Sequence, residues 1–232
     1  MFEHRNAQGR GGFDFGWLKT RHSFSFGDYH DPARMGWRAL RVINEDWVQP
    51  GQGFGTHPHR DMEILTWVLE GALEHKDSMG THGIIRPGEA QVMSAGTGIL
   101  HSEFNASETD TVHLLQIWVL PESRGLPPRY AQVAFDPERF ANRWGLVASR
   151  EGREGSVILM QDLDLWVARL DPGAEVEASL GPDRGGYLQV AKGTVAVDGQ
   201  LLQAGDALAV TDAPPFRIRG ESEAEVLWFD LR

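Results

Sequence analysis

The alternation of hydrophobic and polar residues along the chain predicts many short β-strands. Apolar and β-branched runs are separated by Gly, Pro, Asp or Asn, a spacing typical of an all-β sandwich or barrel. The first half contains four clear runs, at residues 37–48, 63–70, 90–94 and 112–120. No segment before residue 120 carries a long helical period. The pattern therefore predicts an all-β N-terminal half.

Residues 121–143 interrupt this pattern with several prolines and a glycine around short predicted helices, and we interpret them as a connector. The β pattern then resumes, with runs at residues 156–160, 163–170, 187–190, 194–197, 207–210 and 226–231. We accordingly predict three parts, which are an N-terminal barrel (1–125), a connector (126–145) and a C-terminal barrel (146–232).

The two halves look like distant versions of one unit. Residues 68–74 match residues 190–196, and residues 86–90 match residues 203–207, because each pair places a glycine turn between strands. The two turn glycines lie 17 residues apart in the first half and 12 in the second, so the repeat is approximate. Coincidence among common turn residues is the alternative explanation.

Charge and composition narrow the classes of function. With 22 basic and 33 acidic residues the net charge is −11, which argues against a broad nucleic-acid surface and against anchoring on an anionic membrane. The longest apolar runs, such as residues 64–69 and 114–120, are far shorter than the roughly 18 residues of a membrane span. Cysteine is absent, which removes disulfides and thiolate ligands, and residues 1–5 do not resemble a signal peptide. These features predict a cytoplasmic protein.

The histidines point to a metal site in the N-terminal half. All nine lie at or before His113, and two of them, His57 and His59, flank Pro58. In an extended segment residues i and i+2 point the same way, so both rings face one point. Pro58 strengthens this interpretation, since it biases the preceding residue towards extended geometry.

A second pair of the same kind is formed by His101 and Glu103. If this segment is a strand, both side chains share one face with Ile99 and Asn105. The two pairs supply three imidazoles and one carboxylate, which suits a divalent transition metal better than calcium or magnesium. Asn105 either orients a ligand from outside the metal shell or caps a turn.

The remaining histidines have no such partner two residues away, and we interpret them as hydrogen-bonded or solvated structural residues. They are His4, His22, His30, His75, His82 and His113.

Three motifs carry a resemblance to a known family. They are residues 51–63, which contain His57, His59 and Glu63, residues 94–103, and residues 22–27 with Tyr29 nearby. With these motifs the chain resembles the cupin superfamily and, within it, the pirin family of two-domain cupins. The match is dense through residues 12–120 and continues more weakly to the C-terminus.

The resemblance implies a bicupin fold of two facing antiparallel β-barrels of the jelly-roll type. It also implies iron in the N-terminal barrel, held by residues that correspond to His57, His59, His101 and Glu103. Many other cupins use the carboxylate at the position of Glu63, but the pirin pattern moves it to Glu103, so we leave Glu63 out. Bacterial pirin-like proteins are associated with quercetin 2,3-dioxygenase activity, whereas animal pirins are known mainly as nuclear coregulators.

We therefore expect an oxidoreductase, a metal-dependent dioxygenase that opens a flavonol ring. Its partners would be a small aromatic, enolizable substrate and dioxygen, and Glu103 would act as ligand, as base or as both. Fe(II) is the expected metal, with Mn, Ni, Cu and Zn as alternatives. The quercetin reaction implied by the resemblance inserts both oxygen atoms and releases carbon monoxide.

Two other functions remain open at this stage. One is an iron-dependent binding or regulatory protein of the pirin type, which would dock a protein partner and lack physiological quercetinase activity. An apolar pocket leading to the metal would favour the enzyme, while a closed site beside an exposed patch would favour the binder. The other is a cupin isomerase or hydrolase that uses zinc or manganese.

Two further features bear on the barrels. The aromatic group Phe24, Phe26, Tyr29 and Trp37 could flank a planar substrate, but we favour a place in the core. In the second half, Ser179 and Gly181 stand where a metal-binding cupin has its histidines. We therefore predict that the C-terminal barrel is degenerate and free of metal.

Overall fold

The computed structural model describes all 232 residues, and almost all of its regular structure is β. Strands of the first half are β1 (Phe2–Arg5), β2 (Gly11–Asp14), β3 (Leu18–His22), β4 (Leu40–Val48), β5 (Gly53–His59), β6 (Glu63–Glu70), β7 (Leu73–Asp77), β8 (His82–Ile85), β9 (Glu89–Ser94), β10 (Ile99–Asn105), β11 (Val112–Val119) and β12 (Arg129–Ala134). The later strands are β13 (Gly145–Ser149), β14 (Val157–Ile158), β15 (Leu163–Leu170), β16 (Glu175–Ala178), β17 (Gly185–Lys192), β18 (Thr194–Val197), β19 (Gln200–Gln203), β20 (Ala207–Thr211), β21 (Phe216–Gly220) and β22 (Ala224–Leu231).

The helical segments are single 3-10 turns, at Ala7–Gly9, Pro137–Arg139 and Arg153–Gly155. Pro137 begins the second of them, and the Asp136 side chain caps it by accepting from the backbone N–H of Glu138. None of these helices has the length and apolar character that a membrane span requires.

The N-terminal unit comprises Arg10–Phe135 together with Val157–Gln161. Its larger sheet has the strand order β12-β9-β6-β11-β4-β3-β2, and its smaller sheet has the order β5-β10-β7-β8. Val68 and Leu114 of the larger sheet pack with Leu73 and Ile85 of the smaller one, and all four are buried. The two sheets therefore enclose an apolar core, as in a cupin barrel.

The C-terminal unit comprises Met1–Gly9, Asp136–Ser156 and Asp162–Arg232. Six strands of its larger sheet lie in the order β1-β20-β17-β22-β15-β13, and its smaller sheet has the order β16-β21-β18-β19. The first strand of the chain belongs here, because β1 pairs antiparallel with β20.

The predicted strands at residues 63–70, 112–120 and 163–170 are confirmed as β6, β11 and β15 to within one residue. The predicted connector contains a 3-10 turn but also β12, which pairs with β9. The sequence of β12 does not alternate clearly between apolar and polar residues, so the hydrophobic pattern did not predict this strand. In the structure five of its six residues are half-buried. The domain limits 1–125, 126–145 and 146–232 stay a prediction.

The turn glycines support the internal repeat. Gly71 and its counterpart Gly193 have φ angles of 77° and 72°, while Gly88 and Gly205 have 87° and 90°. A side chain at such positive φ is strained. At Gly193 a Cβ atom would also lie 2.0 Å from the carbonyl oxygen of Glu223. The same turn geometry thus recurs at matching places in the two units.

Candidate metal centre

The two predicted ligand pairs lie on adjacent strands of the smaller N-terminal sheet. Strands β5 and β10 pair antiparallel with His101 directly opposite His57. In β10 the side chains of Ile99, His101, Glu103 and Asn105 are buried, whereas the intervening Leu100 and Phe104 are exposed. The predicted common face of β10 is therefore confirmed.

Three imidazoles converge at this pairing. Ligand nitrogens of His57, His59 and His101 all lie within 4.8 Å of one another. The Nε2 atoms of His57 and His101 are 3.0 Å apart. The ring of His59 lies 4.8 Å from each of the other two rings, centroid to centroid. The cluster has the composition and spacing that a transition-metal site needs.

The protonation states of this cluster also fit a metal. Burial lowers the pKa of His59 to about 4 and that of His101 to about 2, and the neighbouring histidines add to both effects. Both rings are therefore neutral near pH 7, the form that binds metals. The Nδ1 atom of His57 lies 2.8 Å from the carbonyl oxygen of Gly55 and donates to it, which leaves the Nε2 lone pair facing the cluster. With the His101 proton on Nδ1, two lone pairs would face each other here and would favour a cation between them.

Glu103 lies beside this cluster, in a second group with His75 and His101 whose ligand atoms are also within 4.8 Å of one another. The side-chain amide of Gln116 donates to both carboxylate oxygens, at 3.0 and 2.9 Å. Thr66 in turn donates to the amide oxygen of Gln116, which fixes the orientation of that amide. Burial, more than the charge of nearby Asp46, raises the pKa of Glu103 to about 7.

His75 is a site residue that the sequence did not reveal as one. Its side chain is fully buried, its Nδ1 atom lies 3.4 Å from Nδ1 of His101, and its Nε2 atom lies 3.2 Å from a carboxylate oxygen of Asp77. The interpretation of His75 as a histidine without a partner two residues away was wrong, because His75 and Asp77 are themselves an i, i+2 pair.

Glu63 has structural partners, which supports leaving it out of the ligand set. Its carboxylate accepts hydrogen bonds from the hydroxyl of Ser94 at 2.8 Å and from the backbone N–H of Met160 at 3.1 Å. Burial raises the pKa of this carboxyl. Its role is to join β6, β9 and the Val157–Gln161 segment within the N-terminal unit.

Of the two roles predicted for Asn105, orienting a metal ligand or capping a turn, the structure supports the second. Its amide donates to the carbonyl oxygens of Val48 and Asp110, at 2.9 and 2.8 Å. Its own side-chain oxygen accepts from the backbone N–H of Ser107 at 2.9 Å. Asn105 therefore caps the turn after β10.

Several of the other histidines interact with carboxylates away from the cluster, as expected for structural residues. His113 lies 3.0 Å from Glu45, and His82 lies 2.7 Å from Glu74. His22 differs, because it is buried in the wall of a cavity that also reaches the metal cluster.

This cavity has a volume of about 210 Å³. Its walls are largely aromatic, formed by Phe13, Phe15, Phe26, Phe54 and Trp118, and its polar lining includes His57, His59, Glu103 and Gln116. The ring of Trp118 stands edge-on to His59, with centroids 4.8 Å apart. An aromatic pocket whose wall includes His57 and His59 is suited to a planar apolar ligand.

The four aromatic residues predicted to lie in the core differ in their burial. Phe24 is fully buried, as expected, whereas Phe26 lines the cavity. The side chains of Tyr29 and Trp37 are half-buried. For Phe26 the prediction was wrong, because its ring packs edge-on against Trp118 at the cavity wall, with centroids 5.2 Å apart.

In the C-terminal unit, Ser179 and Gly181 are exposed and follow the end of β16. A metal-free C-terminal barrel stays a prediction.

Comparison with known proteins places this geometry in a family. Residues 2–119 match the family model described as Pirin, and residues 146–231 match the one described as Quercetinase C-terminal cupin domain. The chain is 47% identical over 227 residues to a quercetin 2,3-dioxygenase of Escherichia coli K12, covering 98% of this chain and 97% of the relative.

Solved structures agree with the sequence comparison. The crystal structure of YhhW from Escherichia coli has a TM-score of 0.96 and 46% identity, covering 100% of this chain and 98% of that one. The structure of the bacterial pirin YhhW in complex with nickel(II) has a TM-score of 0.94 and 46% identity, covering 100% and 99%. With both halves matched at full length, the chain belongs to the pirin family of two-domain cupins.

Proposed function

We propose that this chain is a metal-dependent dioxygenase that opens the ring of a flavonol, as a quercetin 2,3-dioxygenase does. The observation that carries the proposal is the convergence of the His57, His59 and His101 imidazoles beside an aromatic cavity whose wall includes His57 and His59. The names of full-length relatives support the same activity.

His57, His59 and His101 would hold the metal, and Glu103, which shares a group with His101, would be the fourth ligand. Fe(II) is our proposal for the metal in the cell, because imidazole and carboxylate ligands with open positions are typical of non-haem iron oxygenases. The nickel(II) complex of the relative YhhW supports the proposal that other divalent metals also bind here. When bound, the metal supplies the positive charge and the redox chemistry that oxidation of a flavonol by dioxygen requires.

The aromatic walls would bind and orient the planar substrate. Phe13, Phe26 and Trp118 present ring surfaces to the cavity, and burial of a flat aromatic ligand against them displaces water. Exclusion of water strengthens the electrostatic interactions that Glu103 and the histidines make inside the cavity.

We assign the substrate hydroxyl proton to a carboxylate oxygen of Glu103. This residue lines the cavity, so its carboxylate faces the space that a substrate hydroxyl would occupy and could accept its proton. Gln116 donates to both carboxylate oxygens and would hold them in place while the proton is transferred.

A closed metal site beside an exposed docking patch would favour the regulatory alternative. The cavity that reaches His57 and His59 favours the enzyme over this binder. As parts of the same proposal, the protein is cytoplasmic and the C-terminal barrel, residues 146–232, has a structural role without metal.

Oxygen uptake by Fe(II)-loaded protein tests the proposal. A flavonol with a free 3-hydroxyl should be consumed together with oxygen, whereas its 3-O-methyl ether should be inert because it has no 3-hydroxyl proton for Glu103 to accept. Metal-free protein is the control. Equal turnover of the ether would refute the role of Glu103, and no uptake with any flavonol would favour the regulatory function.

A further inference from the structure

His75 and Asp77 of β7 lie behind the metal cluster, on the side of His101 away from His57. Strand β10 pairs with β5 on one edge and with β7 on the other, so Asp77 is opposite His101 and His75 is opposite Glu103. The side chains of His75 and Asp77 are completely buried. These two residues, here called the outer pair, do not line the aromatic cavity.

The distances form a chain from the carboxylate to the metal cluster. The Asp77 carboxylate lies 3.2 Å from His75 Nε2, His75 Nδ1 lies 3.4 Å from His101 Nδ1, and His101 Nε2 lies 3.0 Å from His57 Nε2. His75 and His101 therefore each use both ring nitrogens along the chain.

Hydrogen-bond chemistry allows one arrangement of protons along this chain. A neutral imidazole carries one N–H, and the nitrogen that binds a metal carries none. If His101 binds through Nε2, its proton is on Nδ1, so Nδ1 of His75 must accept and the proton of His75 must be on Nε2. That proton then faces the Asp77 carboxylate, which can only accept.

Asp77 is itself fixed in position. Its other carboxylate oxygen accepts backbone N–H groups of Met79 and Thr81, at 2.9 and 3.0 Å, in the turn between β7 and β8. The ring of Tyr130 covers His75, with centroids 5.0 Å apart. The turn between β7 and β8 and the ring of Tyr130 thus fix the orientation of the outer pair.

We infer that His75 and Asp77 are positioning residues of the metal centre, which hold His101 in the tautomer that presents an unprotonated Nε2 to a divalent metal. The inference rests on the proposed metal site and is independent of the dioxygenase reaction. Outer-shell partners of this kind typically change metal affinity by about 10- to 100-fold when they are removed.

Asp77→Asn is the sharpest test, because it keeps the shape of the side chain but adds an amide donor. With the asparagine oxygen on the N–H groups of Met79 and Thr81, its NH₂ group faces Nε2 of His75 and favours the opposite tautomer. The proton on Nδ1 of His75 would then oppose the one on Nδ1 of His101. We expect nickel(II) affinity, measured by calorimetry, to fall by about 10- to 100-fold.

Glu74→Gln is the matched control. Glu74 lies on the same strand and bonds His82 at 2.7 Å, but this carboxylate–histidine pair is exposed and outside the cluster. The control should bind nickel(II) like the wild type. Affinity of Asp77→Asn within about twofold of the wild type would overturn the inference.

Nitrogen-15 NMR of histidines in the zinc-loaded wild-type protein gives a second test that needs no variant. We expect His75 to be protonated at Nε2 and His101 at Nδ1, and a His75 ring protonated at Nδ1 would overturn the inference. A protein that binds metal with these tautomers but consumes no flavonol would leave the inference standing and refute the proposed dioxygenase.

Discussion

His57 and His101 face each other across the β5–β10 pairing, with their Nε2 atoms 3.0 Å apart. The hydrogen bond from His57 Nδ1 to the carbonyl oxygen of Gly55 orients the His57 ring, and the contact between Nδ1 of His101 and Nδ1 of His75 orients the His101 ring. Two strands that are distant in sequence thus bring two imidazole nitrogens to one point, and a metal ion there would be bound by both of them.

Replacing both residues, as in His57→Ala with His101→Ala, should therefore abolish most metal binding. The reason is that each of these histidines would supply one coordinate bond to the metal. Wild-type protein loaded with nickel(II) and passed through gel filtration should retain about one ion per chain. His82→Ala is the control, because His82 is exposed and bonds only Glu74 among the contacts described above. Full metal occupancy of the double variant by elemental analysis would contradict the assignment of the site.

Glu103→Gln should lower oxygen uptake with a flavonol by about 100-fold or more, because it removes both the carboxylate charge and the proton acceptor while keeping the shape. Some metal should remain bound through the three histidines. The control is Glu63→Gln, another buried carboxylate, whose partners Ser94 and Met160 both donate to one oxygen that glutamine retains. Unchanged turnover of Glu103→Gln would refute the proposed role of this residue.

Sequence patterns predicted the parts of the site that depend on local geometry. The common face of His101 and Glu103 follows from the two-residue period of a strand, and β10 has this alternation. His75, Gln116 and Thr66 come from three other strands, and the sequence does not show which strands will be neighbours. Their contacts depend on strand register, which is set by the packing of the whole barrel.

The same limit applies to the fold. The strands β6 and β11 were predictable because nearly all of their residues are buried and most are apolar, whereas in β15 buried apolar residues largely alternate with half-buried ones. The place of β1 was not predictable, because its four residues join the sheet of the C-terminal unit through pairing with β20, about 200 residues later in the chain.

Gly186→Ala should destabilise the C-terminal unit. A Cβ atom at this position in β17 would lie 1.8 Å from a ring carbon of Trp228, whose side chain is buried in the core. The ring has to move, and overpacking of this kind costs about 1–3 kcal/mol. Gly181→Ala is the control, since its Cβ would make only an ordinary contact of 3.4 Å with Arg184. Urea denaturation should show a lower midpoint for Gly186→Ala alone, and equal midpoints would contradict this account of the packing.

The stability of the metal-free protein should fall as the pH drops below about 6.5, in part through His22. Burial, with a smaller contribution from the charge of Arg10, lowers the pKa of His22 to about 4, although a hydrogen bond with the backbone of Phe26 opposes this. In the unfolded chain His22 has its ordinary pKa of 6.5, so between pH 6.5 and 4 the unfolded chain binds a proton that the folded state excludes. The stabilisation is therefore complete above pH 6.5 and is lost as the pH falls towards 4.

His22→Gln, which cannot take up this proton, should make the free energy of unfolding less dependent on pH in this window, whereas His30→Gln, at an exposed position, should not. Urea denaturation of metal-free protein at pH 7.5, 5.5 and 4.5 measures the difference, and parallel pH profiles for the wild type and His22→Gln would show that His22 is not buried as a neutral ring.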